Sequence, residues 1–236
     1  MPHGPGSAPA ASQTLSRGIQ LLEALADARE PRTIDELAAR IGVHRSIAYR
    51  LLRTLEDHGL VVRESGRVAL GPRMAALAAG VSHDLQAQAL PELTAVANEL
   101  GMTCFLVVLD ADECITLASV EPRHAVATVV QRPGARHPVT AGAPGRAVLS
   151  LLPDDGWPAD ASAGVRAAVA EVRARGYATS HDEVIPGVAS VAVPLATRSQ
   201  RPAAIGVVHV ADAREPAAVA ERLRRSAATI RESLGG

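Results

Sequence analysis

The 236-residue chain contains no lysine, so arginine is the only side chain that carries a permanent positive charge. Aromatic residues make up only 2% of the chain, and any core must therefore rest on Ala, Val, Leu and Ile. The formal net charge of -1 excludes binding of nucleic acid through bulk charge, so such binding has to be local. Two isolated cysteines favour a reducing cytoplasm over a disulfide scaffold.

The sequence also lacks the marks of secretion and of membrane insertion. Residues 1–13 are rich in Pro, Gly, Ala and Ser, without the cationic end and apolar run of a signal peptide, and we expect a disordered tail there. No apolar stretch approaches the roughly 20 residues that span a bilayer. These absences predict a cytoplasmic protein without a membrane partner.

A dense succession of helix and turn signals is present over residues 14–72. Apolar residues at helical spacing predict a first helix in SRGIQLLEALADA. Thr33 and Glu36 have the spacing of a capping box that opens a second helix, and Gly42 supplies the turn after it. Two short helices joined by a tight turn are therefore expected.

The third predicted helix runs from about His44 to His58. Three apolar residues are expected on its buried stripe, namely Ile47, Leu51 and Leu55. Two strand-like segments, LVVRE and RVALG, follow around Ser65-Gly66, which is a hairpin signal. This order of elements predicts a winged helix-turn-helix domain over 14–72.

The exposed side of the third helix is cationic and polar. Its members are His44, Arg45, Ser46, Tyr49, Arg50 and Arg53. No acidic residue occurs between Glu36 and Glu56. Because arginine suits bidentate contacts with guanine edges and phosphates, this side predicts a recognition helix for the major groove of DNA. The alternative interpretation is a solvated helix face, since arginine is also a good helix former.

Three further arginines are candidates for contacts with the DNA backbone or minor groove. Arg63 and Arg67 flank the predicted hairpin tip, where a simple solvated turn is the alternative. Arg17 precedes the apolar part of the first helix and is a candidate phosphate contact.

After residue 72 the sequence changes character. A linker helix with small residues is predicted over 73–90, and a second helix is expected to start at Pro91. Apolar β-branched runs then alternate with helical segments, which predicts an α+β domain over 91–236 with a mostly antiparallel sheet. ATVVQRPG is expected to form the third strand of that sheet and ARHPVTAG to be irregular.

Signals of catalysis and of metal binding are weak. Cys104 and Cys114 lie in apolar strands and are expected in the core, and His137, His181 and His209 are too widely spaced to predict a metal site. Neither a cofactor nor a metal is expected. Two alternatives to DNA binding stay open: an enzyme that uses Cys104 or His181, and a winged helix that binds protein.

Residues 14–72 resemble the DNA-binding domain of the IclR family of bacterial transcription regulators, through TLSRGIQLLEAL, TIDELAARIGVHRSIAYRLLRTLEDHGLV and VALGPR. The likeness continues in ELGMTCFLVVLDADECITLASVE, RPGARHPVTAGAPGRAVL and RARGYATSHDEVIPGVASVAVPL. The resemblance implies a GAF-like effector domain and a regulator, expected to be a repressor, whose affinity for a double-stranded DNA operator responds to a small molecule. It further implies a homodimer, with a homotetramer as the alternative.

By position, the resemblance also implies which residues line the effector pocket. They are Val126, Thr140, Ala143, Pro144, Ser180, Val188, Ser190, Gly206 and Val208. Several positions lack the polar groups that some family members carry, among them Gly206 and Val208. Because hydrogen-bonding groups orient a small acid in such a pocket, we expect a larger and more apolar ligand, for which the small side chains leave volume.

Overall fold

The structure is a computed structural model that describes residues 12–28, 30–78, 80–124, 129–197, 201–210 and 214–235. The chain divides into two compact units, up to Val81 and from Ser82. Of the predicted tail, residues 1–11 lie outside the described residues, whereas Ser12 caps the first helix through a bond from the Leu15 N–H. Among the described residues, no helix is long and apolar enough to cross a membrane.

The first unit has the predicted order of helices and hairpin, with one short strand added. Its elements are α1 (Gln13–Asp27), β1 (Arg32–Thr33), α2 (Ile34–Arg40), α3 (Arg45–Asp57), β2 (Val61–Glu64), β3 (Arg67–Leu70) and α4 (Arg73–Ala78). The strands form an antiparallel sheet in the order β1-β3-β2. The winged helix-turn-helix prediction is confirmed, and β1 is an addition that the sequence pattern did not indicate.

Local signals explain where these helices begin and turn. Thr33 accepts a hydrogen bond from the Glu36 N–H at 3.3 Å, and Glu36 accepts one from the Thr33 N–H at 2.7 Å, which is the predicted capping box. Gly42 has φ +66 in the turn between α2 and α3. Ser65 and Gly66 both have positive φ, as a tight two-residue hairpin requires.

The buried side of α3 differs from the prediction by one residue. Ala48 and Leu52 are fully buried, whereas the expected stripe of Ile47, Leu51 and Leu55 is only half-buried. The helix contacts α1, α2 and β2, so its most enclosed line lies between those neighbours. The polar face keeps its exposure after this correction.

The predicted linker helix over 73–90 and the predicted start at Pro91 are wrong. α4 ends at Ala78, and the next helix, α5 (His83–Leu100), runs through Pro91 without a break. A continuous buried stripe follows α5 across the proline: Leu85, Ala89, Leu93, Val96 and Ala97. Because Pro91 lies on the exposed side of α5, burial of that stripe offsets the lost backbone hydrogen bond.

The second unit is an α+β domain, as predicted. After α5 come β4 (Thr103–Asp110), β5 (Glu113–Val120), β6 (Arg136–Pro138), α6 (Gly142–Leu149), α7 (Ala163–Arg175), β7 (Ala178–His181), β8 (Val188–Leu195), β9 (Ala203–Val210) and α8 (Pro216–Ser233). All pairs are antiparallel in the sheet order β6-β5-β4-β9-β8-β7.

The third strand of this domain was placed wrongly by the sequence pattern. Residues 129–134 of ATVVQRPG form no strand, and residues 127 and 128 lie outside the described residues. The edge strand β6 comes instead from the stretch expected to be irregular, and His137 pairs with Cys114 of β5. An edge strand needs only one partner, so a three-residue segment without alternation can form it.

The sheet separates two hydrophobic clusters. One packs α5 and α8 against residues such as Cys104 and Leu106, and the other packs α6 and α7 against Phe105 and Val107. Neighbouring residues of β4 thus point to opposite faces. Cys104 and Cys114 are buried in different clusters, which confirms that both are core residues.

Candidate DNA-binding surface and effector cavity

The helix α3, which the sequence predicts to be a recognition helix, presents its polar side to solvent. Arg45, Tyr49, Arg50 and Arg53 are all exposed, and Tyr49 retains 45% of its accessible surface. The opposite side of α3 carries the buried Ala48 and Leu52. The helix therefore has one face committed to the core and one available for a partner.

The arginines around α3 fall into two groups. Arg45 Nη1 lies 2.7 Å from Asp35 Oδ2, and Arg40 lies 3.9 Å from Asp27. In contrast, the side chains of Arg50 and Arg53 make no hydrogen bond or ion pair with any part of the chain that the structure describes. The unneutralised charge on this face is therefore concentrated at Arg50 and Arg53.

His44 and Ser46 have a local structural role at the start of α3. His44 Nδ1 accepts a hydrogen bond from the Ser46 N–H at 3.3 Å and lies 2.9 Å from Ser46 Oγ. The pair caps the helix without using a distant residue. The sequence placed both on the DNA-facing end, and their exposure leaves that prediction open.

The wing arginines are tied to their own domain. Arg63 lies 3.4 Å from Glu56, and its guanidinium sits 5.2 Å from the centre of the Tyr49 ring. Arg67 donates to the Pro31 carbonyl at 2.9 Å. Arg17 is half-buried on α1 and, within the described residues, has no ion-pair partner.

A cavity in the second unit lies where α6 begins, between β4, β7, β8 and β9. It is lined by Phe105, Gln131, His137, Pro144, Ser180, Val184, Ile185, Val188, Ser190 and Val208. Five of the nine predicted pocket residues are among them: Pro144, Ser180, Val188, Ser190 and Val208. The geometry thus brings together residues from four separate stretches of the sequence.

Of the remaining predicted pocket residues, Val126 lies outside the described residues. Thr140 and Ala143 are not among the residues that line this cavity. Gly206 has no room for a side chain, because a Cβ there would lie only 2.9 Å from Phe105 Cζ. The phenylalanine ring occupies the space that the missing side chain leaves.

This cavity is smaller than the pocket that the small side chains led us to expect, and the larger, more apolar ligand stays a prediction. The cavity has a volume of about 30 Å³, which is space for a water molecule or two. Phe105 fills it from the sheet, and Val184 and Ile185 fill it from the loop after β7. Apolar side chains of the protein itself occupy the volume that small pocket residues were expected to leave free.

Sequence reasoning missed five of the lining residues: Phe105, Gln131, His137, Val184 and Ile185. Phe105 is the only phenylalanine of the chain, and that rarity was an available signal. Burial lowers the pKa of His137, which keeps its imidazole neutral, and its Nδ1 lies 3.0 Å from the Pro138 carbonyl oxygen. Gln131 donates to Thr116 Oγ1 at 2.9 Å.

The residues considered for catalysis lack an activated arrangement. Burial raises the pKa of Cys104 far above its usual range and that of Cys114 to about 12, so neither thiol is poised to ionise. His181 Nδ1 lies 2.8 Å from Asp182 Oδ2, with both side chains mostly exposed. In the described ranges, no three residues of the His, Cys, Asp and Glu types are grouped to hold a metal ion.

Comparison with known proteins agrees with this architecture in both domains. Residues 14–65 match the IclR helix-turn-helix domain, and residues 77–159 match the bacterial transcriptional regulator IclR C-terminal domain. The glycerol operon regulatory protein of Streptomyces griseus is 30% identical over 215 residues, which cover 84% of each chain. The transcriptional repressor IclR of Escherichia coli is 31% identical over 149 residues, which cover 61% of this chain and 54% of that protein.

A solved structure extends the agreement to nearly the whole chain. The IclR transcriptional regulator from Alicyclobacillus acidocaldarius superimposes with a TM-score of 0.82 at 28% identity, over 96% of this chain and 100% of that one. A helix-turn-helix DNA-binding domain joined to a C-terminal effector-binding domain defines a transcriptional regulator. The chain belongs to the IclR family of such bacterial regulators.

Proposed function

We propose that the protein is a homodimeric repressor that reads a DNA operator with α3 and responds to a small molecule bound in the second domain. The observation that carries the DNA-binding part is the exposure of Arg50 and Arg53 without an intramolecular partner among the described residues. An unpaired guanidinium has all its donors free for guanine edges or phosphates. Arg45 has to break its ion pair with Asp35 before it can contact DNA, so we expect it to contribute less to DNA binding than Arg50 and Arg53.

Operator recognition by a dimer is supported by exposed apolar side chains in the first unit. Leu15 and Ile19 lie one turn apart on α1 with 65% and 47% exposure, and Leu77 on α4 is 59% exposed. Apolar groups of this size in the open favour an interface. A symmetric dimer would place two α3 helices in major grooves one helical turn, or a multiple of it, apart. Pairing of second domains into a tetramer is compatible with this arrangement.

Regulation requires that the effector bind the two arrangements of the dimer with different affinities. The cavity at the start of α6 is the proposed effector site, since polar and apolar side chains converge there. A regulator of this kind acts where the chromosome is, so we place it in the cytoplasm. The buried thiols and their raised pKa values support a regulator rather than an enzyme.

The test uses operator fragments selected by the full-length protein from random duplexes. Arg50→Ala should weaken operator binding by about 1–3 kcal/mol and relax sequence preference at one position if the side chain contacts a base edge. Titration at two salt concentrations separates base contacts from phosphate contacts, because loss of a phosphate contact lowers the salt dependence.

The matched control is Arg225→Ala, which removes one exposed arginine from α8 in the other domain. It should leave operator affinity unchanged. Equal affinities of the wild-type protein, Arg50→Ala and Arg53→Ala for the selected operator would contradict the assignment of α3 as the reading helix. Failure of the wild-type protein to enrich any duplex would contradict the proposed function itself.

A further inference from the structure

A row of three side chains ties the exposed face of α3 to the strand β2. Tyr49 keeps 45% of its accessible surface, and the centre of its ring lies 5.2 Å from Arg63 Cζ. Arg63 Nη2 lies in turn 3.4 Å from Glu56 Oε2. Tyr49 and Glu56 are two helical turns apart and therefore lie on the same side of α3. Arg63 of β2 thus bridges two turns of the helix and packs against an exposed aromatic ring.

Arg63 differs from the free arginines of α3. Only 25% of its side-chain surface is exposed. Arg50 and Arg53, in contrast, are exposed and make no hydrogen bond or ion pair within the described part of the chain. The Glu56 carboxylate offsets part of the Arg63 charge, and the Tyr49 ring packs against its guanidinium. A phosphate contact would require Arg63 to leave both partners, so the side chain is better placed to hold Tyr49 than to bind DNA itself.

The hydroxyl of Tyr49 is available to an outside partner. Tyr49 Oη makes no hydrogen bond with the residues that the structure describes. A phenol hydroxyl both donates and accepts, and the major groove presents donors and acceptors in a pattern that differs between base pairs. Because the guanidinium against the ring restricts the side-chain torsions, less ordering remains to be completed when DNA binds. The ring is therefore held in advance for contact with a base edge.

We propose that Tyr49 is a specificity-determining residue whose hydroxyl contacts a base edge, and that Arg63 is a positioning residue that holds the Tyr49 ring for this contact. The inference rests on the proposed binding of an operator by α3. A phosphate contact by Arg63 would have a different consequence, because its loss weakens binding to all duplexes alike and lowers the salt dependence. Loss of a positioning contact relaxes the sequence preference at one base pair and leaves the salt dependence unchanged.

The test uses the operator that the full-length wild-type protein selects from random duplexes, together with single-base-pair variants of that operator. The preference at a base pair is the ratio of the affinities for the operator and for its variant. Tyr49→Phe keeps the ring and removes the hydroxyl, so it should relax the preference at one base pair. Arg63→Gln should lower the preference at that same base pair about two- to fivefold, with unchanged salt dependence. In the Tyr49→Phe background, Arg63→Gln should add no further loss of preference.

Two further variants separate positioning from a general structural effect. Arg63→Lys keeps a cation that packs against the ring and pairs with Glu56, so it should restore most of the preference lost in Arg63→Gln. Arg136→Gln removes a strand arginine of the second unit that lies 3.5 Å from Glu113, and it should change neither the preference nor the salt dependence. Circular dichroism checks that each variant is folded.

Two kinds of result would overturn the proposal. One is an equal loss of affinity for every duplex in Arg63→Gln with a lower salt dependence, which indicates a phosphate contact. The other is a preference that stays unchanged in Tyr49→Phe or in Arg63→Gln, that falls at different base pairs in the two variants, or that Arg63→Lys does not restore.

Either result contradicts this inference alone when Arg50→Ala still weakens operator binding. Failure of the wild-type protein to enrich any duplex contradicts the proposed function instead. The two failures are therefore distinguishable.

Discussion

The helices α3 and α6 begin in different ways, and each carries an arginine within its first turns. α3 is capped by His44 and Ser46 from its own segment; its first residue, Arg45, pairs with Asp35, while the charges of Arg50 and Arg53 stay free among the described residues. α6 is capped by Ser180 and Glu183, which lie 37 and 41 residues away from their partners, so its arginine is neutralised.

This difference separates an exposed surface that carries unpaired charges from a site that the protein's own side chains close. A local cap satisfies the backbone and leaves the side-chain charge in water, where it costs little and can attract DNA. A tertiary cap, which comes from a distant segment, pairs with both the backbone N–H groups and the guanidinium charge. Such pairing is needed because leaving a buried polar group without a partner costs free energy.

The largest effect is expected when the tertiary cap of α6 is removed. Ser180→Ala leaves the N–H of fully buried Ala143 without its acceptor, which should destabilise the second unit by about 1–3 kcal/mol. Chemical denaturation followed through the fluorescence of Trp157, the only tryptophan, measures the change. Ser162→Ala at the exposed start of α7 is the control and should cost less, because water replaces that hydroxyl. An equal loss from both variants would remove the distinction between the two kinds of cap.

A smaller effect is expected at the local cap of α2. Thr33→Ala removes the hydroxyl that accepts from the Glu36 N–H and should cost the first unit about 1 kcal/mol. Hydrogen exchange of residues 34–40 reports it, and exchange in the second unit should stay unchanged. Thr54→Ala, the same substitution on the exposed side of α3, serves as the control. Undiminished protection of α2 in Thr33→Ala would show that the capping box does not hold this helix.

The smallest effect is a pH dependence at the same cap. Hydrogen bonds from Thr33, first through its backbone, hold the pKa of Glu36 below its ordinary value of 4.5. A carboxyl group with a lowered folded-state pKa adds stability above its ordinary pKa, and that stability is lost as pH falls through the folded-state pKa. The stability difference between wild-type protein and Glu36→Gln should therefore shrink as pH falls below 4.5.

Denaturation midpoints at neutral pH and at progressively lower pH measure that difference. Glu64→Gln, which changes an exposed glutamate on β2 outside the capping box, is the control and should show no such convergence. A constant difference between wild-type protein and Glu36→Gln across the same range would contradict the role of the ionised carboxylate.

The helix-turn-helix could be predicted from sequence because its signals act over a few residues. The capping box joins Thr33 to Glu36, and the hairpin turns at Ser65 and Gly66. Even there, the buried line of α3 was missed by one residue, because neighbouring elements decide which side is most enclosed. The strand β1 was not predicted, because a strand of two residues is too short to show an alternation of apolar and polar side chains.

The cavity proposed as the effector site could be predicted only in part. The family resemblance, carried over by position, implied Pro144, Ser180 and Ser190, which do line it. The missing side chain at Gly206 was taken for free volume, whereas the Phe105 ring fills that space across the sheet. A packed interior leaves few voids, so the absence of one side chain says little about volume until its neighbours are known.

The amino-acid sequence by itself determined the short-range features: helices, their caps, the turn at Gly42 and the cationic side of α3. Only the tertiary structure decided which charges stay free. Asp35 reaches Arg45 and Glu183 reaches Arg146, while Arg50 and Arg53 meet no acid among the described residues. The physical reason is that hydrogen-bond caps and periodicity act within a turn of chain, whereas ion pairing and cavity filling depend on which distant segments folding brings within a few ångströms.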